Sequence, residues 1–304
     1  MYGIDFINVS ASMNLTLLRA FHQVAQEGSF TRAAIAGGVS QSTLSAQVRA
    51  LEATHSVNLF DRRHRGVTLT PIGQNLLSIT TRLFAAEDDA ATLLGRARTL
   101  THGHLRVAAD SANHVMPLLV QLRGDHPGLT FSLTVGNSAD VLQQILDYKA
   151  DVGVMARRTS DPRIHSLPLR VDRLVLFVPK SHDWGYRSQI LLEEINGRAL
   201  VIRERGSITR EVFEAALSEK GIRPGAVIEV QTREAVQEAV LAGFGIGIVF
   251  ESEVRSPGDL HTLEVENAAL SVEEYVVCLE ERRRVPLVFR FLDIAEKLAS
   301  PPAT

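Results

Sequence analysis

Residues 29–70 read SFTRAAIAGGVSQSTLSAQVRALEATHSVNLFDRRHRGVTLT, and their order of parts restricts the fold more than any other stretch. Leu17, Phe21 and Val24 recur at helical spacing, which predicts a helix over 14–27. Gly28 ends it and Ser29 is placed to cap a second helix over 30–36, whose Ala33 and Ala34 let two helices cross closely. Gly37 and Gly38 supply a turn, and Ser40 is placed as N-cap of a third helix from 41 to about 54. An arginine-rich hairpin follows, with Val67 and Leu69 alternating after Gly66. Helix, turn, helix and basic hairpin together describe a winged helix-turn-helix, which lays its third helix in a DNA major groove.

Leu44, Val48 and Leu51 mark the buried side of that third helix. The opposite side is expected to show Gln41, Ser42, Thr43, Ser45, Gln47 and Arg49 beside the capping Ser40. A solvated face normally carries more Lys and Glu. These short polar groups instead suit base edges and phosphates, with Arg32 from the second helix and Arg62, Arg63 and Arg65 of the hairpin on the backbone or minor groove. Six arginines against Glu27, Glu52 and Asp61 leave residues 13–70 at +3 inside a chain of net charge −3. That asymmetry describes a small DNA reader joined to a larger domain with another task.

Thr70-Pro71 is a helix start. Ile72, Leu76, Ile79, Leu83, Ala86, Ala90, Leu93 and Ala97 then follow in steps of four and three, a coiled-coil seam over nearly four heptads. Leu77, Phe84 and Leu94 add a second strip, so one face can meet another chain while the other rests on the DNA module. A homodimer is expected, because paired readers gain affinity and specificity from two half-sites. A hinge is read at Thr101-His102-Gly103-His104. Its two histidines lack neighbouring ligands, and no metal or cofactor is assigned.

From Leu105 onward, short apolar strands alternate with amphipathic helices, the pattern of an α/β domain with a mainly parallel sheet. Strands are expected at 105–109, 130–135, 151–155, 173–179, 199–203, 227–230 and 245–250. Helices are expected near 113–123, 138–148, 208–220, 232–242 and 286–299. Ligands of such sheets sit beyond the carboxyl ends of strands, against helix N-termini. Those junctions hold Asp110, Ser111, Asn113 and His114, then Gly136, Asn137 and Ser138. Further on come Gly206, Ser207, Thr209 and Arg210, and finally Thr232 and Arg233. Each hydroxyl or amide could equally be a plain helix cap. Several together with Arg210, Arg233 and His114 point to a small anionic ligand.

The run from Phe21 through GSFTRAA, VSQSTLSAQVRALE, NLFDRR and VTLTPIGQ resembles the N-terminal domain of LysR-type transcriptional regulators. Ser42, Gly37-Gly38 and Ser56 depart from that pattern without removing the polar face. The resemblance implies pairing through the linker helix, commonly tetramers, and a two-lobed effector domain like that of periplasmic binding proteins. HVMPLL (114–119), GNSADVLQQILDYKADVGV (136–154) and EEYVVCLEERR (273–283) further resemble the subgroup associated with aminoethylphosphonate catabolism. That resemblance implies a phosphonate effector, held by helix N-termini and Arg210 or Arg233, with Asp110 or Glu204 receiving an ammonium group.

The fold class expected is thus α+β multidomain: a winged helix-turn-helix, a long linker helix, and a two-lobed α/β effector domain. The corresponding segments are a disordered extension over 1–12, the DNA-binding domain over 13–70, and the linker over 71–104. The effector domain spans 105–304, with lobe I about 105–168 plus 270–304 and lobe II about 169–269. Expected partners are promoter DNA, a small-molecule effector, a second copy of the chain and RNA polymerase.

Three rival readings have less support. For an enzyme, GFGIGIV (243–249) runs from helix into strand, the reverse of a dinucleotide fingerprint, and there is no phosphate-loop lysine, CxxC or HExxH motif. A thiol switch would need a partner for Cys278, the only cysteine. A purely architectural DNA binder would leave 200 residues of α/β pattern without a task. No apolar run reaches the roughly 18 residues of a membrane span and the first twelve residues lack a basic start, so a cytoplasmic location is expected.

Overall fold

The computed structural model describes residues 13–61, 67–95, 103–254 and 258–299. The chain divides into two compact units, one through Thr92 and one from Leu93.

In the first unit, α1 (Leu15–Glu27) begins on Asn14, whose side chain accepts from the amides of Thr16 and Leu17, and ends on Gly28 with φ 57°. α2 (Phe30–Gly37) is capped by Ser29 and stops at Gly38 with φ 63°. α3 (Gln41–His55) is capped by Ser40. β1 (Phe60–Asp61) pairs antiparallel with β2 (Thr68–Leu69), and α4 (Pro71–Gly95) follows. The core gathers Phe21 and Val24 from α1, Ala33 and Ala34 from α2, Leu44, Val48 and Leu51 from α3, and Phe84 from α4. Burial of this set supplies roughly 1.5–3 kcal/mol per large apolar side chain. Gly73 lets α4 lie against the β-pair, since a Cβ there would sit 2.2 Å from the Leu59 carbonyl oxygen. The expected extension at 1–12 and the wing tip carrying Arg62, Arg63 and Arg65 lie outside the described residues.

The second unit begins with β3 (Gly103–Ala109), α5 (Ala112–Asp125), β4 (Leu129–Val135), α6 (Ser138–Leu146), β5 (Val152–Met155) and β6 (Ile164–Pro179). It continues through β7 (Gln189–Ile190), β8 (Leu200–Arg203), α7 (Ile208–Glu219), β9 (Val227–Val230), α8 (Arg233–Leu241), β10 (Ile246–Phe250) and β11 (Leu260–Val265). It closes with β12 (Ser271–Leu279) and α9 (Pro286–Leu298). The strand order is β4-β3-β5-β12-β6-β10-β8-β9, with β11 on β6 and β7 on β11. Two principal cores result. One packs α5 and α9 on β3, β5 and β12; the other packs α7 on β6, β8 and β10. Only β6 and β12 serve both, so the unit has two lobes joined by a pair of crossing strands.

Two expectations are corrected. β4, β3 and β5 run parallel, as do β10, β8 and β9, but the middle of the sheet is antiparallel, because β12 runs against β5 and β6, and β6 against β10 and β11. Gly103 and His104 do not form a hinge: they open β3 and pair with Leu129 and Thr130, while Thr101 and His102 lie outside the described residues. His104 is held there by Thr130 and Ser132, 2.9 and 3.0 Å from its ring nitrogens.

Candidate nucleic-acid interface and ligand cavity

Ser40, Gln41, Ser42, Thr43 and Arg49 are exposed along α3, and Arg32 is exposed at the start of α2. Ser40 accepts from the Thr43 amide at 3.0 Å and touches the hydroxyls of Ser42 and Thr43 at 2.8 and 2.7 Å. Arg49 donates to Ser45 at 3.0 Å, which steers its guanidinium along the helix. Ser45 and Gln47 are only half exposed, because they flank the Leu44–Val48–Leu51 stripe. The outermost line runs through Ser42, Ala46, Arg49 and Ala50. Two alanines thus share a face on which Ser45 and Gln47 were expected to be more exposed, and a small methyl suits contact with a thymine methyl.

Behind this face sits a tie the sequence reading missed. Glu52 is buried, and its Oε1 accepts from the amides of Leu59 and Phe60 at 2.8 and 3.3 Å, fixing the strand that leads into the wing. His22 is buried as well, 3.0 Å from the Thr80 hydroxyl and stacked obliquely on Phe84. Burial, and then the Arg19 guanidinium, push its pKa down to about 4.

In the second unit a cavity of about 970 Å³ opens between the lobes. Of the junction residues singled out, Ser111, Asn113, Gly136, Asn137, Thr232 and Arg233 line it. Asn137 forms a capping box with Asp140 on α6, and Thr232 accepts from the Ala235 amide on α8. Ser111 makes no side-chain cap at the start of α5. Gly136 allows the strand to turn beside α6, where a Cβ would meet that of Asp140 at 2.9 Å.

The other five candidates lie elsewhere. Ser138 is buried and donates to Asp110 Oδ2 at 2.6 Å. Ser207 and Thr209 are buried with their hydroxyls 2.8 Å apart. Arg210 faces away from the cavity and is taken up by Glu214, Glu229 and the Arg203 carbonyl. His114 lies beneath the cavity, with Nε2 3.1 Å from Asp172 and 2.9 Å from Ser252. Burial lowers its pKa, but Asp172, Glu274 and Glu253 outweigh burial and hold it at about 10.

The cation that takes the place of Arg210 is Arg203, at the end of β8, paired with Glu204 at 2.7 Å. Arg233 is paired with Glu253 at 2.6 Å and donates to the Asp110 carbonyl from the other lobe. Asn137 likewise reaches across to Glu204 at 3.3 Å. Against these two arginines the lining sets Asp140, Glu204, Glu234 and Glu253. The cavity therefore offers both signs of charge and an acidic balance, with Glu204 but not Asp110 in the lining.

Cys278 is fully buried and burial pushes its thiol up to about 12, so it stays protonated and unreactive. Among the described residues no helix is long and apolar enough to cross a membrane.

The family description "Bacterial regulatory helix-turn-helix protein, lysR family" matches residues 15–74, and "LysR substrate binding domain" matches residues 98–300. The HTH-type transcriptional regulator CbbR of Rhodospirillum rubrum is 28% identical over 91% of this chain and 94% of its own. The uncharacterized HTH-type transcriptional regulator YeiE of Escherichia coli (strain K12) is 32% identical over 77% of this chain and 80% of its own. Full-length CbnR, solved in complex with its target DNA, superposes with a TM-score of 0.71 at 24% identity, covering 94% of this chain and all of that one.

Proposed function

The chain belongs to the LysR family of transcriptional regulators, and from that premise we propose how its DNA face and its cavity are used. It is a DNA-binding regulator with an effector-binding domain, not an enzyme. In the proposal, α3 enters the major groove, with Ser42, Thr43 and Arg49 toward bases and phosphates and Arg32 on the backbone. The Arg62–Arg63–Arg65 wing supplies phosphate or minor-groove contacts. Two copies pair through α4, whose seam leaves Ile72 and Ile79 each 52% exposed and Leu83 37% exposed, and pairs of pairs form tetramers. The regulator acts in the cytoplasm and its bound state alters contact with RNA polymerase.

The effector is a small amphoteric metabolite, and 2-aminoethylphosphonate is the specific candidate. The supporting observation is the cavity itself: its two arginines suit a phosphonate, while the excess of carboxylates suits an ammonium. Such a ligand shifts the regulator only if it binds one arrangement of the lobes more tightly than another. Both sides of the cleft already exchange hydrogen bonds through Arg233 and Asn137, which gives it a second set of partners to compete with.

Isothermal titration of the full chain tests this with 2-aminoethylphosphonate, ethylphosphonate and ethanolamine. Saturable heat is expected for the first, weaker for each half-molecule, and reduced about tenfold in Asn137→Ala. Absence of heat for 2-aminoethylphosphonate alongside clean binding of a dicarboxylic acid would overturn the effector assignment.

A further inference from the structure

Seven buried side-chain atoms among the described residues lack a hydrogen-bond partner, and four of them belong to just three side chains that converge: Asp110 Oδ1, His114 Nδ1, and both carboxylate oxygens of Glu274. All three side chains are buried, and Glu274 has no exposed surface at all. One ligand atom from each lies within 4.8 Å of the others. Glu274 Oε1 is 3.0 Å from His114 Nδ1, yet out of hydrogen-bonding alignment, and its second oxygen meets nothing. Glu274 Oε1 is thus met by an ion pair alone, while Asp110 Oδ1 and Glu274 Oε2 have no partner, and an unmet carboxylate oxygen in the interior costs several kcal/mol.

We propose that Asp110, His114 and Glu274 form a binding site for a divalent first-row transition-metal ion of the zinc class, at the strand crossing beneath the cavity. The surroundings are built for this. His114 Nε2 donates to Asp172, itself held by Ser252, so an ion that displaces the proton on Nδ1 would meet a lone pair directed toward the other two ligands. A ligating imidazole with its far nitrogen on a carboxylate is the usual support of a zinc histidine. Asp110 is fixed through its other oxygen by Ser138 at 2.6 Å and the Ala156 amide at 2.7 Å, so Oδ1 alone remains to coordinate.

Charge favours a dication over a monovalent or anionic occupant. Binding releases the proton held on His114, and two carboxylates, the neutral imidazole that results and a 2+ ion then sum to zero in a buried space, where a residual charge is expensive. One nitrogen with carboxylate oxygens suits zinc, cobalt, iron or manganese better than calcium, which takes six to eight oxygens. The ligand atoms lie within 4.8 Å of one another, and side-chain rotation must close them to the roughly 3.5 Å separations of a tetrahedral ion. The site is distinct from the effector cavity, and the two assignments stand or fall separately.

The test uses the full chain, dialysed against chelator and titrated with Co²⁺ and Zn²⁺. Expected are one Co²⁺ per chain with the visible absorption of a four- or five-coordinate nitrogen–oxygen site, displacement by Zn²⁺, and a higher melting temperature for the metal-bound protein. Glu274→Gln is expected to weaken binding by about tenfold or more, as is Asp172→Asn acting through His114. His104→Ala is expected to leave binding unchanged. The wild-type titration decides alone whether an ion binds, and Asp110→Asn repeats the test of place if Glu274→Gln does not fold. Absence of saturable binding at millimolar Co²⁺ would overturn the proposal. So would binding that survives unchanged in the Glu274 and Asp110 variants, which would put the ion elsewhere.

Discussion

His22 and Glu52 are polar side chains sealed inside a small apolar core, and each acts through the backbone or helix it holds. The His22 pKa of about 4 lies below its ordinary 6.5, so the unfolded chain binds the extra proton between those values. Stability from the neutral imidazole is therefore complete above about pH 6.5 and is lost as the pH falls toward 4. The expected loss is about 3 kcal/mol. Amide exchange across α1 and α4 as a function of pH would show it, and a flat profile over that window would refute the buried neutral state.

The cavity arginines show what a single residue conceals in sequence. Arg210 opens a helix beside a strand end, as a ligand residue would, yet Glu214 stands four positions on and takes its guanidinium. That i,i+4 acid is legible in the sequence and was the available warning. Arg203 is the last residue of an expected strand and goes unnoticed because its neighbours in the run are apolar; the structure shows that β8 ends at the cavity. Ser111, Asn137 and Thr232 were legible because helix starts are legible. Which of those starts carries its own cap was not.

At the scale of elements, α4 shows its two faces. Gly73, Thr80 and Phe84 are buried toward the small unit's core, while Ile72, Ile79, Leu83, Ala86 and Ala90 remain exposed on the other side. Its heptads announce both stripes; the structure puts Leu77 and Phe84 on the core side, draws the seam residue Leu76 there as well, and leaves the rest of the described seam exposed. Ile79→Asp is expected to shift the protein from oligomer to monomer in sedimentation analysis without lowering the stability of the unit, because the side chain leaves its core untouched. An unchanged sedimentation coefficient would remove α4 from the interface.

β6 resisted reading for the opposite reason. Pro168, Arg170 and Asp172 interrupt its apolar run, so a strand was expected only from residue 173. The observed strand starts at Ile164 because Pro168 sits where the register with β12 shifts between Glu274 and Tyr275. A proline is tolerated at such an irregularity, where no ladder hydrogen bond is required of it.

At the scale of the molecule, the two units carry separate chemistries. Arg49→Ala is expected to weaken operator binding by about 1–3 kcal/mol in gel-shift or anisotropy titrations and to leave effector affinity unchanged. Ser111→Ala is expected to do the reverse. Loss of both activities in either variant would count against this division of labour.

The crossing strands also set an order of events during synthesis. The core built on α7, β8 and β10 needs no residue beyond Val272. The core that begins with β3 stays open until β12 and α9 supply Val276, Cys278, Phe291 and Ile294. A chain emerging from the ribosome therefore completes its middle lobe first, and holds the apolar faces of α5 and β3 unsatisfied until translation is almost finished. The earliest-made part of the effector unit is the last to become protease-resistant.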